Sequence, residues 1–94
     1  MQKLIKSLVE SFGPSGKEEQ VREIVRMEIA SYVDELSDSP LGSLHAIVNP
    51  VGGTKVMVAA HMDEIGVIIS HIDKNGVARF HNIGGVFPHT LVGH

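Results

Sequence analysis

The run Lys55-Val56-Met57-Val58-Ala59-Ala60 constrains the fold more than any other segment of the chain. Its apolar positions are successive rather than alternating, so as a strand it needs cover on both faces, as in the interior of an α/β sheet. Two helical stretches precede it. Leu4, Ile5, Leu8, Val9 and Phe12 recur at helical spacing among Lys3, Lys6, Ser7 and Glu10, which predicts an amphipathic helix ended by Gly13-Pro14. Ser15-Gly16-Lys17-Glu18 has the Ser-x-x-Glu form of a capping box and predicts a second helix with Val21, Ile24, Val25, Ile29 and Tyr32 on one face. The pair Glu18-Glu19 then favours the positive end of the helix dipole rather than acid–base chemistry.

From Val33 onward the pattern is β-like. Val33 to Leu36 and Leu44 to Val48 predict one hairpin, followed by the turn-rich Asn49-Pro50-Val51-Gly52-Gly53. Val67 to Ile72 and Val77 to Phe80 predict another around Asp73-Lys74-Asn75-Gly76, whose Asn-Gly pair suits the positive φ angles of a tight turn. The expected class is α/β: two amino-terminal helices, then β-hairpins and a central buried strand within a sheet domain. No later helix closes a right-handed crossover, and the chain stops at Leu91-Val92-Gly93-His94 without capping or tail composition. Further polypeptide, or a second chain, is therefore expected to cover the open face.

Composition narrows the partners. With 94 residues there is room for one small domain and one core. Eight basic residues against 11 acidic ones, a net charge of −3 and no dense Lys/Arg patch argue against nucleic acid and anionic membranes. The opening Met1 to Glu10 lacks the long apolar run of a signal peptide, and nothing approaches the roughly 18 apolar residues of a membrane span, so a cytoplasmic protein is expected. Without cysteine, any metal must be held by His, Asp or Glu.

That restriction directs attention to His61-Met62-Asp63-Glu64, which follows the apolar run at the carboxyl end where open α/β sheets place their ligands. In extended backbone, residues two apart project to the same side, so Asp63 can reach the His61 imidazole, fix its tautomer and leave the other nitrogen free for a metal. An isolated His-x-Asp triplet recurs by accident and often marks only a strand end and a solvated turn. Here the apolar run before it and a second apolar run after it raise its specificity. The remaining histidines, His45, His71, His81, His89 and His94, suggest no second cluster, although His71 and His81 lie on opposite arms of one predicted hairpin and could face each other. Gly84-Gly85 reads as a turn or bulge, since no phosphate-loop pattern surrounds it.

These motifs together resemble the M42 metallo-aminopeptidases, often labelled endoglucanase or cellulase. The resemblance rests on Ser11-Phe12-Gly13-Pro14-Ser15-Gly16, on Val58-Ala59-Ala60-His61-Met62-Asp63-Glu64-Ile65-Gly66, and on Ile83-Gly84-Gly85 with Val92-Gly93. It implies that His61 is a ligand of one of two divalent metal ions, zinc or cobalt, and that Asp63 is the catalytic-site carboxylate that orients it. In related enzymes the peptide after this aspartate can be cis, an arrangement of roughly 3 to 4 kcal/mol that only its surroundings can hold. The family's bridging aspartate, Glu-Glu pair, further acidic ligand and distal histidine have no counterpart in these residues, so the isolated chain is expected to hold metal weakly and to be inactive. By the same resemblance, residues 1–83 begin the peptidase catalytic domain and residues 84–94 begin an inserted dimerisation domain. There are two local departures from the resembled pattern: Asp38-Ser39-Pro40-Leu41-Gly42-Ser43 has serine where Gly-Asn is common, which bears on the early hairpin, and Val86-Phe87-Pro88-His89 lacks an expected acidic residue, which bears on assembly.

The implied substrate is a peptide, and the implied partner is another copy of the chain or a complementing carboxy-terminal polypeptide. A non-catalytic fragment that self-associates or binds a partner is the alternative. The endoglucanase label fares worse, because a glycosidase needs two carboxyl groups about 5 to 9.5 Å apart astride the scissile bond. Asp63 and Glu64 are consecutive and would point to opposite faces.

Overall fold

Both predicted helices form. In the computed structural model, which describes residues 1–92, α1 spans Gln2–Glu10 and α2 spans Glu19–Ile29, continued by a 3-10 turn at Ala30–Tyr32. Leu4 and Leu8 of α1 are half-buried, as are Ile24, Val25 and Ile29 of α2, and Val21 is buried. Tyr32 departs from the expected face. The 3-10 turn changes the helical periodicity there and leaves it 78% exposed.

The capping box does not form either. Ser15 and Gly16 are used by a turn in which the Lys17 amide donates to the Pro14 carbonyl at 2.8 Å, with Gly16 at φ +84°. That left-handed position suits glycine and takes Ser15 out of reach of the helix start. Glu18 instead accepts from the Gly16 amide at 2.6 Å.

Both hairpins are present and antiparallel. Strand β1, Glu35–Asp38, pairs with β2, Leu44–Ile47, and β3, Gly66–Ile72, pairs with β4, Ala78–Ile83. The β3–β4 turn takes positive φ at Gly76 alone; Asn75 keeps a negative φ while the Asp73 carboxylate accepts from the amides of Asn75 and Val77. A register shift between Ile69 and His71 sets His71 opposite Arg79 and His81 opposite Ile68, so the two histidines are not cross-strand partners.

Helix α2 is tied to the first hairpin by charge. Arg26 Nη2 donates to both Asp38 carboxylate oxygens at 2.6 Å, Arg22 Nε lies 3.5 Å from the same carboxylate, and Arg22 Nη1 donates to the Gly42 carbonyl at 2.9 Å. The pKa of Arg26 is raised, chiefly by its hydrogen bond to Asp38.

The expected central strand requires correction. Residues 55–60 belong to no strand, and Val56, Met57 and Val58 are 85%, 90% and 91% exposed. A strand exists through its ladder, and a run apolar on both faces also needs two covering layers. The described residues supply neither, because each hairpin is closed on itself as a two-stranded sheet.

The dimensions agree. The accessible surface is 8085 Å², against about 5300 Å² for a compact protein of this mass. The radius of gyration is 17.8 Å, against about 12 Å for a compact chain of this length. Among the described residues, the buried apolar side chains are Val21 and Val86. Among the described residues, no helix is long and apolar enough to cross a membrane.

Candidate functional site

The segment His61 to Glu64 lies where the first hairpin, the turn between the helices and the start of β3 meet. One side of it faces a shallow groove shared with Leu41, Gly42 and Leu44. The other side faces Leu8, Val9, Val21 and Val25 of the helices.

His61 and Asp63 meet as their spacing predicts. His61 Nδ1 lies 3.0 Å from Asp63 Oδ1 and 3.1 Å from the Asp63 carbonyl oxygen. Both neighbours are acceptors, so in a neutral imidazole this contact favours the proton on Nδ1 and leaves the Nε2 lone pair available. The imidazole is 85% exposed and Asp63 is half-buried, so the carboxylate is the anchored member of the pair and the ring projects from it. This is the geometry of a metal-binding histidine oriented by a carboxylate.

The donor set fits one corner of a metal site. A catalytic zinc takes about three protein ligands plus water. Among the described residues no three His, Asp or Glu side chains gather in a way that could hold a metal ion. His61 and Asp63 therefore stand without a third such side chain beside them. His94 lies outside the described residues. His89 stacks obliquely on Phe87, their ring centres 5.8 Å apart.

Glu64 does something that its sequence position did not reveal. Its amide donates to the Gly13 carbonyl at 2.9 Å, and its carboxylate Oε1 accepts from the Gly13 amide at 3.0 Å. Pro14 and Glu64 form a parallel bridge. All peptide bonds among the described residues are trans, including the one joining Asp63 to Glu64. Only a long-range contact distinguishes this glutamate from a solvated one, and spacing along the chain carries no such signal.

Gly84-Gly85 forms the expected turn. Gly84 sits at φ +72°, and the Val86 amide donates to its carbonyl at 3.0 Å. The Asn82 side chain donates to the Val86 carbonyl at 3.1 Å, closing β4 beside Ile65.

A family model described as M42 glutamyl aminopeptidase matches residues 42–94. The lysyl aminopeptidase of Pyrococcus furiosus is 43% identical over 90 residues, which are 95% of this chain and 26% of that protein. Aminopeptidase APDkam598 of the archaeon Desulfurococcus kamchatkensis superposes with a TM-score of 0.88 at 42% identity, over 95% of this chain and 25% of that one. A Thermotoga maritima structure described as an endoglucanase superposes with a TM-score of 0.81 at 38% identity, over 90% of this chain and 28% of that one. The chain thus spans about a quarter of the length of these relatives.

Proposed function

The chain belongs to the M42 aminopeptidase family, and from that premise we propose that it supplies the first corner of a two-metal aminopeptidase site, acting on the amino terminus of peptides once the rest of the domain is present. The observation that carries this reading is the contact of His61 Nδ1 with Asp63 Oδ1 at 3.0 Å, which leaves Nε2 to bind. His61 would hold one of two divalent ions, zinc or cobalt. Asp63 would keep the imidazole in the tautomer and orientation that binding needs. When bound, such ions activate water and polarise the peptide carbonyl.

One imidazole is too few ligands for that chemistry, so the remaining ligands and the general base would come from polypeptide beyond these residues. By the same reading, residues 84–94 would open an inserted dimerisation region, of which Gly93 and His94 lie outside the described residues. A sugar-cleaving role finds no support in the carboxylates. Asp63 is engaged by His61 and Glu64 by the Gly13 amide, so neither stands free to act as one of a flanking pair.

The test is a hybrid enzyme in which residues 1–94 are joined to the corresponding carboxy-terminal portion of the Pyrococcus furiosus relative. It should release free amino acids from short peptides in the presence of zinc or cobalt, and chelation should abolish the release. A folded, assembled hybrid that leaves peptides intact with every divalent ion tried would overturn the reading.

A further inference from the structure

The motif Ser11-Phe12-Gly13-Pro14-Ser15-Gly16 carries much of the family resemblance, yet none of its side chains is suited to ligate a metal or move a proton. The structure shows what it does instead. Ser11 Oγ donates to the Leu8 carbonyl at 2.7 Å and so closes the end of α1. The Phe12 amide donates to Gln20 Oε1 at 3.3 Å, Pro14 pairs with Glu64, and Gly16 turns the chain toward α2. Gly13 is buried, and a Cβ added there would collide with Val21 Cγ2. Only glycine allows the backbone of this turn to come so close to α2 while both of its polar groups remain directed at Glu64.

We infer that Glu64 is a positioning residue, clasping Gly13 through amide and carboxylate so that the preceding residues hold His61 and Asp63 at the carboxyl end of the 55–60 segment. The inference rests on the metal-ligand reading of His61. Two hydrogen bonds in opposite senses fix both the position and the direction of residue 64. Asp63 is its immediate neighbour, and a carboxylate orients a ring only when its own backbone is held. The segment before His61 has no ladder of its own to hold it. The clasp is therefore the nearest fixed point for the pair. Gly66 lies close by, where an added Cβ would stand 3.6 Å from Pro14 Cβ, an ordinary contact, so the clasp does not depend on that glycine.

The test uses the full 94-residue chain, labelled with nitrogen-15, with the variants Glu64→Ala and Glu64→Gln. Glutamine keeps a carbonyl oxygen for the Gly13 amide and alanine does not. Two signals are read: hydrogen exchange at the Gly13 amide, and the His61 tautomer from long-range proton–nitrogen correlations at about pH 8, where an ordinary imidazole is neutral. In the wild type and in Glu64→Gln the Gly13 amide should be protected and His61 should carry its proton on Nδ1. In Glu64→Ala, Gly13 protection should fall on the order of tenfold and the His61 tautomers should mix, while the amide signals of both hairpins stay in place.

Four results would overturn the inference. They are a wild-type Gly13 amide that exchanges at the random-coil rate, an alanine variant that keeps the wild-type tautomer, a glutamine variant that loses as much as alanine, and hairpin signals lost along with the tautomer, which would show a general structural role. None of these depends on catalysis. An inactive hybrid enzyme would defeat the peptidase reading while leaving the clasp measurable.

Discussion

At the scale of single residues, His61, Asp63 and Glu64 divide one short segment into three roles. On the proposed reading His61 would offer a nitrogen to a metal ion and Asp63 would set which nitrogen it is, while Glu64 is turned away toward Gly13. In the hybrid enzyme, His61→Ala should abolish metal-dependent peptide release. Asp63→Asn keeps an acceptor but removes the charge that favours the Nδ1 proton, and should cost roughly 10- to 100-fold in metal affinity or activity, read by metal titration alongside the rate. Gly13→Ala drives a methyl group into Val21, an overpacked site with backbone on one side, and should destabilise the assembled protein by about 1 to 3 kcal/mol in a denaturant titration. The His61–Asp63 contact was legible in the sequence because it is local, fixed by two-residue spacing. The Glu64–Gly13 contact joins residues that lie far apart in the chain, and no local pattern announces such a pairing.

At the scale of elements, the helices and hairpins follow their periodicities, and the discrepancies arise where local chemistry had two outlets. Ser15 could cap a helix or enter a turn, and Gly16 with Pro14 decided for the turn. Asn75-Gly76 could supply two positive φ angles, but the Asp73 carboxylate gathered the amides of Asn75 and Val77 and left only Gly76 left-handed. The Asp38 segment anchors α2 through Arg22 and Arg26. Asp38→Asn should cause a small fall in thermal stability that shrinks as salt is added, because these side chains are reached by solvent. The pKa of Arg26 is raised in the fold, so its contribution is complete below the unfolded guanidinium value and is lost only as pH rises through the still higher folded one. Titration of Arg26 should therefore add no pH dependence to the Asp38→Asn effect between about pH 6 and 9, as parallel melting curves would show.

At the scale of the whole molecule, the apolar run at 55–60 was expected to be a central strand covered in part by further polypeptide, and in this chain it forms no strand. The distinction is physical. Hydrophobic pattern reports what a segment requires, whereas strand formation depends on the neighbours available to pair with it. Val58 makes the difference measurable. In the isolated chain it is 91% exposed, so Val58→Asp should change stability by no more than about 0.5 kcal/mol and should improve solubility by breaking an exposed apolar run. In the hybrid enzyme the same carboxylate would enter a covered strand, where an unpaired charge costs several kcal/mol or forces protonation. Assembly should then fail, with loss of the folded species in sedimentation and of metal-dependent activity. Equal tolerance in both settings would show that the run stays outside the sheet even in the assembled protein, with no part of the remaining domain closing over it.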